Sequence, residues 1–388
     1  VRVRNILLFS FALLFVGLSF SSAQKIELKD GIRIVHNEKI GKLGGNPQVS
    51  LALIRTLGGI DVEDENLAFN LPYDVDMDGQ GNLYILDTGN CRIQKFSPEG
   101  KFLATLGRQG QGPGEFQSPY SLDIDSEGYL YVSDMLSKKV HILTPKGKAR
   151  KTLKITKRRV YKARLIKPGL IVMGGFVTRR ISQKEKKLPK LLKVFNTKGK
   201  LQYEFGDMMD YKDNWLSLWA NWHHFDLDKD GYAYLTFRHQ NRIEKYSPDG
   251  QLIWRADRNL NYGTKPMDKG SSKGRTRQIP KMNTVSTGIS PDEKGRIWVL
   301  TLNRQLRREE QQSVITGGGA RITKRADVDR EKTDVYKLEI FDSDGILLGE
   351  IQLGHHAHDI RIIKNYLFIW ERNNAKFYQY EIKEEQGS

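Results

Sequence analysis

Through most of the chain, apolar and polar positions alternate with a period of two, in short runs broken by turns rich in Gly, Pro, Asn and Asp. Such runs predict half-buried β-strands, because successive side chains of a strand point to opposite faces. The runs also repeat. "LPYDVDMDGQGNLYILDTGNCRIQKFSPEGKFLATLG" aligns with "SPYSLDIDSEGYLYVSDMLSKKVHILTPKGKARKTLK" and with "WHHFDLDKDGYAYLTFRHQNRIEKYSPDGQLIWRA". Each predicts strand, tight turn, aromatic-rich strand, polar turn, strand, Pro/Gly turn and strand. Self-similarity at such a period means one supersecondary unit per repeat.

The last turn of the unit is the clearest marker. It occurs as Ser97-Pro98-Glu99-Gly100, Thr144-Pro145-Lys146-Gly147, Asn196-Thr197-Lys198-Gly199, Ser247-Pro248-Asp249-Gly250 and Asp342-Ser343-Asp344-Gly345. Asp, Asn, Ser or Thr opens a type I turn, and glycine accepts its last position. A sixth unit, "AHDIRIIKNYLFIW" with "AKFYQYEI", reaches the C-terminus without a fourth strand. "LALIRTLGG", Leu51 to Gly59, resembles the fourth strand of the first full repeat and supplies the missing one. The expectation is an all-β, six-bladed propeller whose N-terminal strand completes the last blade, which removes exposed sheet edges. The blades fall near residues 72–107, 119–155, 161–206, 221–257, 285–353, and 357–385 with 50–58, after a lead-in over 24–45. Tyr84, Tyr131, Tyr234 and Trp298 recur at one blade position and read as core between blades.

"DVDMDGQGNLYILD" invites a calcium reading, since its aspartates alternate ahead of glycine. An EF-hand loop needs a carboxylate at its twelfth position and a helix after it. Ile85 and Phe237 stand at that position in the two candidate loops, and strand-like residues follow. Asp78-Gly79 and Asp230-Gly231 are therefore read as hairpin turns.

The pattern "P-x-x-[LV]-x-[VI]-D-x-x-G-x-[LV]-Y-[VI]-x-D", seen in blades one and two and more loosely in four, resembles that of NHL-repeat propellers of TolB-like architecture. Five of the eight histidines cluster where inner strands begin: His223 and His224 in "NWHHFDLD", and His355, His356 and His358 in "GHHAHDIRI". Alignment puts His223 and His358 at the position of Tyr73 and Tyr120, around the channel mouth. There the chain resembles peptidyl-α-hydroxyglycine α-amidating lyases, in which "P-H" in three alternate blades supplies a zinc-binding histidine triad. The resemblance implies zinc at His223 and His358, with Asp359 of "AHDI" as acidic neighbour. Tyr120 stands where the third ligand belongs, and catalytic zinc takes three protein ligands plus water. His224 or His356 substitutes only if turned inward. The expected ligand-binding set is thus Tyr73, Tyr120, His223, His224, His356, His358, Asp359 and Arg238, with no catalytic residue assigned and no cofactor expected; a metal-dependent lyase or hydrolase is the alternative.

The formal charge of +17 favours acidic partners: an anionic ligand, an envelope polymer or an acidic protein surface. The basic segments "TRRISQKEKKLPK", "TKPMDKGSSKGRTRQIPK" and "RQLRREEQQSVITGGGARITKR" lengthen loops assigned to the histidine face, and "KGKARKTLKITKRRVYKARLIK" is read along an outer strand. No base-stacking platform for nucleic acid is visible. Arg2 and Arg4 precede an apolar run from Ile6 to Phe20, and Ser21 and Ala23 fit a signal-peptidase site, so cleavage after Ala23 and export to the periplasm or medium are expected. No later segment is apolar enough to span a bilayer, Cys91 has no intrachain partner, and a monomer is expected.

Overall fold

The structure is a computed structural model that describes residues 24–154, 159–167, 169–176, 188–271, 278–308, 310, 314–315, 321–322 and 332–385. The expected signal segment, residues 1–23, and most of the basic insertions lie outside the described residues. Six antiparallel blades surround a central channel, each running from an inner strand outward. Their inner strands are Pro72–Met77, Pro119–Ile124, Arg159–Lys167, His223–Leu227, Ser286–Pro291 and Asp359–Ile363. The ring closes as expected: Val49–Gly58 pairs antiparallel with the C-terminal strand Lys376–Glu384, making one blade from the two ends of the propeller.

The lead-in is more structured than the sequence suggested. Gln24–Lys29 and Ile32–Asn37 form a hairpin, and the second strand adds in parallel to Leu252–Arg258, widening blade four to six strands.

Strand alternation places one apolar face of each blade against the next, and a buried cluster fills each interface. Tyr84, Tyr234, Trp298 and Phe368 are almost fully buried there. Burial of each such side chain stabilises by roughly 1.5–3 kcal/mol. The aromatic ends are not left bare: the hydroxyls of Tyr84, Tyr131 and Tyr234 donate to Asp78, Asp125 and Asp228, and the Trp298 indole donates to Asp292. This pairing explains the spacing between turn aspartate and aromatic in the repeat. It also corrects the alignment of the turn. Asp78 corresponds to Asp228 rather than Asp230, and the glycine with positive φ is Gly81, not Gly79, matching Gly231.

The channel-facing edge of an inner strand has no neighbouring strand, so its N–H and C=O groups need other partners. Side chains from adjacent blades supply them. Asp74 accepts the N–H of Leu122 at 2.9 Å, Asp76 that of Ile124 at 2.6 Å, and Asp123 that of Leu165 at 2.7 Å. Ser121 and Ser290 do the same for Ala163 and Ile362, each at 2.9 Å. Guanidinium groups serve the carbonyls: Arg361 donates to Val75 and Leu122, and Arg164 to Leu122. The two sets then pair with each other. Arg164 grips both oxygens of Asp74 at 2.9 and 3.0 Å and reaches Asp226 at 3.0 Å, while Arg361 binds Asp123 at 2.5 Å and Asp76 at 3.3 Å. Burial lifts a carboxyl, yet Lys162, Arg164 and Arg361 together hold Asp226 down at about 2. Burial, offset in part by Arg361, leaves Asp76 raised to about 7, with Asp123 adding to the lift.

The stretch "KGKARKTLKITKRRVYKARLIK" is therefore only half an outer strand. Ala149–Lys154 is the outer strand of blade two, but Arg159–Lys167 is the inner strand of blade three, and its Arg164 sits at the channel centre.

Arg164→Met removes the guanidinium that bonds two buried carboxylates, Asp74 and Asp226. Breaking a buried pair from one side costs about 3–5 kcal/mol, so a lower denaturant midpoint of that size is expected in chemical unfolding. A change within error of wild type would show the network to be dispensable.

Candidate functional site

Three tiers follow from the inner strands. At the mouth stand Tyr73, Tyr120, Tyr161, His223, Thr287 and His358. One residue further come Asp74, Ser121, Lys162, His224, Gly288 and Asp359, and two beyond that the charge network of Asp76, Asp123, Arg164, Asp226, Ser290 and Arg361.

Above the network lies a cup of about 940 Å³ including its open mouth. Tyr73, Tyr120, His223, His224, Asp359 and Arg238 line it. His356 and His358 do not. His356 is buried and packs edge-on to Tyr336 at 5.8 Å, and the His358 ring accepts the Arg372 N–H through Nδ1 at 3.3 Å. Three further lining residues were not singled out from sequence: Tyr161 and Lys162, hidden because blade three lost the repeat signature, and Trp222. Arg372 also lines the cup.

Aromatic rings form a continuous wall. Tyr73 and Tyr120 are 4.3 Å apart, Tyr120 and Tyr161 5.2 Å, and Tyr161 and Trp222 6.3 Å. A short helix, Asn214–Ala220, backs Trp222; Asp213 caps it by accepting the Leu216 N–H, and Asn221 ties its end to Met209. Two guanidinium groups lie against this wall, Arg372 4.4 Å from the Tyr73 ring centroid and Arg238 5.3 Å from that of Trp222. The Arg238 N–H donates to the Trp222 carbonyl at 2.8 Å, fixing its level at the mouth. Burial and the neighbouring Arg372 charge both lower the Arg238 guanidinium from its ordinary value.

Lower down, His224 Nδ1 lies 3.5 Å from Asp359 Oδ2. His224 Nε2, Lys162 Nζ and Arg372 Nε are buried and have no hydrogen-bond partner among the described residues. His223 turns its Nδ1 to the Asn221 carbonyl at 3.1 Å. Among the described residues, no group of three or more His, Cys, Asp or Glu is arranged to hold a metal ion. The rim residues Asp87 and Arg92 pair with each other at 2.8 Å, and Arg242 lies over Phe237, so these stabilise turns and packing.

Burial drives the histidines in and behind the cup neutral. His223 is pushed from 6.5 down to about 4. His224 is lowered by burial against the pull of Asp359, and His358 well below its ordinary value by burial and the Arg372 and Arg238 charges. A group whose folded value is depressed binds its proton better when unfolded, so the His223 contribution to stability is complete above about 6.5 and falls away towards pH 4. An NMR titration of the His223 ring is expected to give a midpoint near pH 4; a midpoint near 6.5 would contradict the buried, neutral assignment.

Comparison with known proteins bears on the fold. A family model described as a 6-bladed beta-propeller matches residues 63–144. No curated protein matches the chain. Among solved structures, a Bacteroides fragilis protein described as exported superposes with a TM-score of 0.57 at 9% identity, covering 91% of this chain and 100% of its own. A duf4221 family member from Bacteroides vulgatus gives 0.55 at 13% identity, covering 87% and 99%. A Bacteroides thetaiotaomicron protein of unknown function gives 0.50 at 10%, covering 86% and 76%. At such identities the likeness speaks for architecture alone, and it agrees with the strand topology: the chain is a six-bladed β-propeller.

Proposed function

We propose that the protein is an exported, noncatalytic propeller that binds a carboxylate-bearing ligand in the channel-mouth cup, either a free anion or the acidic end of an envelope polymer or protein partner. One observation carries the reading: Arg238 and Arg372 line the mouth of the cup, and among the described residues neither is in an ion pair, while Lys162 lies deeper, in the fields of Asp226 and Asp359. Cations elsewhere in the channel are matched by aspartates. Partly desolvated positive charges held against ring faces gain most from an incoming anion. The overall charge of +17 favours its approach. Export rests on Arg2, Arg4 and the apolar run that follows them.

Trp222 in the wall offers a fluorescence signal. Titration with cyclohexanecarboxylate is expected to be saturable and weakened by salt. Because a hydrogen bond to a charged group is worth about 1.5–3 kcal/mol, Arg238→Gln and Arg372→Gln are each expected to weaken binding about tenfold or more. Affinity independent of both arginines would overturn the reading.

The metal-dependent lyase remains the second reading, favoured by His223 and Asp359 sharing the cup. It is tested by metal content after zinc is supplied. The binding reading expects less than stoichiometric zinc, unchanged in the His223→Ala, His358→Ala double variant; stoichiometric zinc lost in that variant would favour the lyase.

A further inference from the structure

The floor of the cup asks for different chemistry from its mouth. His224 and Asp359 are neighbours at 3.5 Å through Nδ1, so Asp359 takes the ring N–H and leaves Nε2 as an acceptor. That acceptor is buried and without a partner. Lys162 Nζ, on a residue of the same cup lining, is a buried donor also without a hydrogen-bond partner, and its charge acts on both His224 and Asp359. Leaving either atom unsatisfied costs about 1–3 kcal/mol.

A second anion does not suit this floor, because Asp74, Asp226 and Asp359 already surround it. An ammonium group would meet Lys162. A hydroxyl satisfies both orphans at once, accepting from Lys162 and donating to His224. The Arg238 backbone bonds at Trp222, the residue before the strand, and His224 is two residues further along the chain, so the two polar levels are roughly 7 Å apart at about 3.3 Å rise per residue. Between them stands the tyrosine wall.

Building on the carboxylate reading above, we infer that the ligand is a hydroxylated ring acid of the sugar-acid class, with its carboxylate at Arg238 and Arg372, its ring against Tyr73, Tyr120 and Tyr161, and a hydroxyl between Lys162 and His224. This arrangement discriminates, since a site built to hydrogen-bond a hydroxyl rejects the analogue lacking one far more strongly than an apolar pocket rejects a size change.

The test compares glucuronate, cyclohexanecarboxylate and glucose on the full mature chain by fluorescence titration, checked by ligand-observed NMR. Glucuronate is expected to bind at least about tenfold more tightly than cyclohexanecarboxylate, and glucose more weakly than glucuronate. The preference for glucuronate is expected to collapse in His224→Phe and in Lys162→Met, while dependence on the two arginines persists. The wild-type comparison is decisive even if a variant fails to fold. Cyclohexanecarboxylate binding as well as or better than glucuronate, with the arginine variants still weakening it, would overturn the hydroxyl inference and leave the carboxylate reading standing. Loss of arginine dependence for both acids, or binding of neither, would overturn both.

Discussion

A ring of six sheets leaves six backbone edges facing one another across a narrow channel, and these edges must be satisfied without a further strand. Here the inner strands are laced together by side chains, carboxylates and hydroxyls taking the N–H groups and guanidinium groups taking the carbonyls. Because these bonds cross from one blade to another, they hold blades in relative register as well as satisfying polar groups. Apolar contact between blades is non-directional and tolerates sliding. The lacing does not.

That requirement also shapes the site. Charges deep in the channel come in matched sets, and Asp74 belongs to both the lacing and the cup lining. Toward the mouth the pairing stops: Arg238 and Arg372 meet rings and each other's fields instead of carboxylates. The cup is rigid below, anchored in a bonded network, and chemically incomplete above. Preorganised, unneutralised donors of this sort lower the cost of ordering a site on binding.

How much of this was legible in the sequence differs by level. Blade count and ring closure were, because a glycine turn and a period of two survive even where the motif decays, and "LALIRTLGG" carries a visible likeness to a fourth strand. Six of the eight expected ligand-binding residues line the cup, since repeat alignment places side chains by tier. His356 and His358 lie outside the cup because one ring packs on Tyr336 and the other takes the Arg372 N–H, local contacts that a repeat alignment does not carry. Lys162 and Arg164 were obscured by composition: in a run so rich in Lys and Arg, two buried cations look like their solvated neighbours. The hairpin at residues 24–37 carries no repeat signature at all; its parallel pairing depends on an open edge in blade four that only the assembled ring presents.

The shared sixth blade has a consequence in time as well as space. Val49–Gly58 is synthesised early, yet its partner Lys376–Glu384 lies at the other end of the chain. Until the last residues emerge, that strand has no partner in the native sheet, and pairing between such distant segments must await closure of a very long loop. The same pairing that seals the ring makes the unfinished chain a carrier of an open β-edge, open to association with other strands.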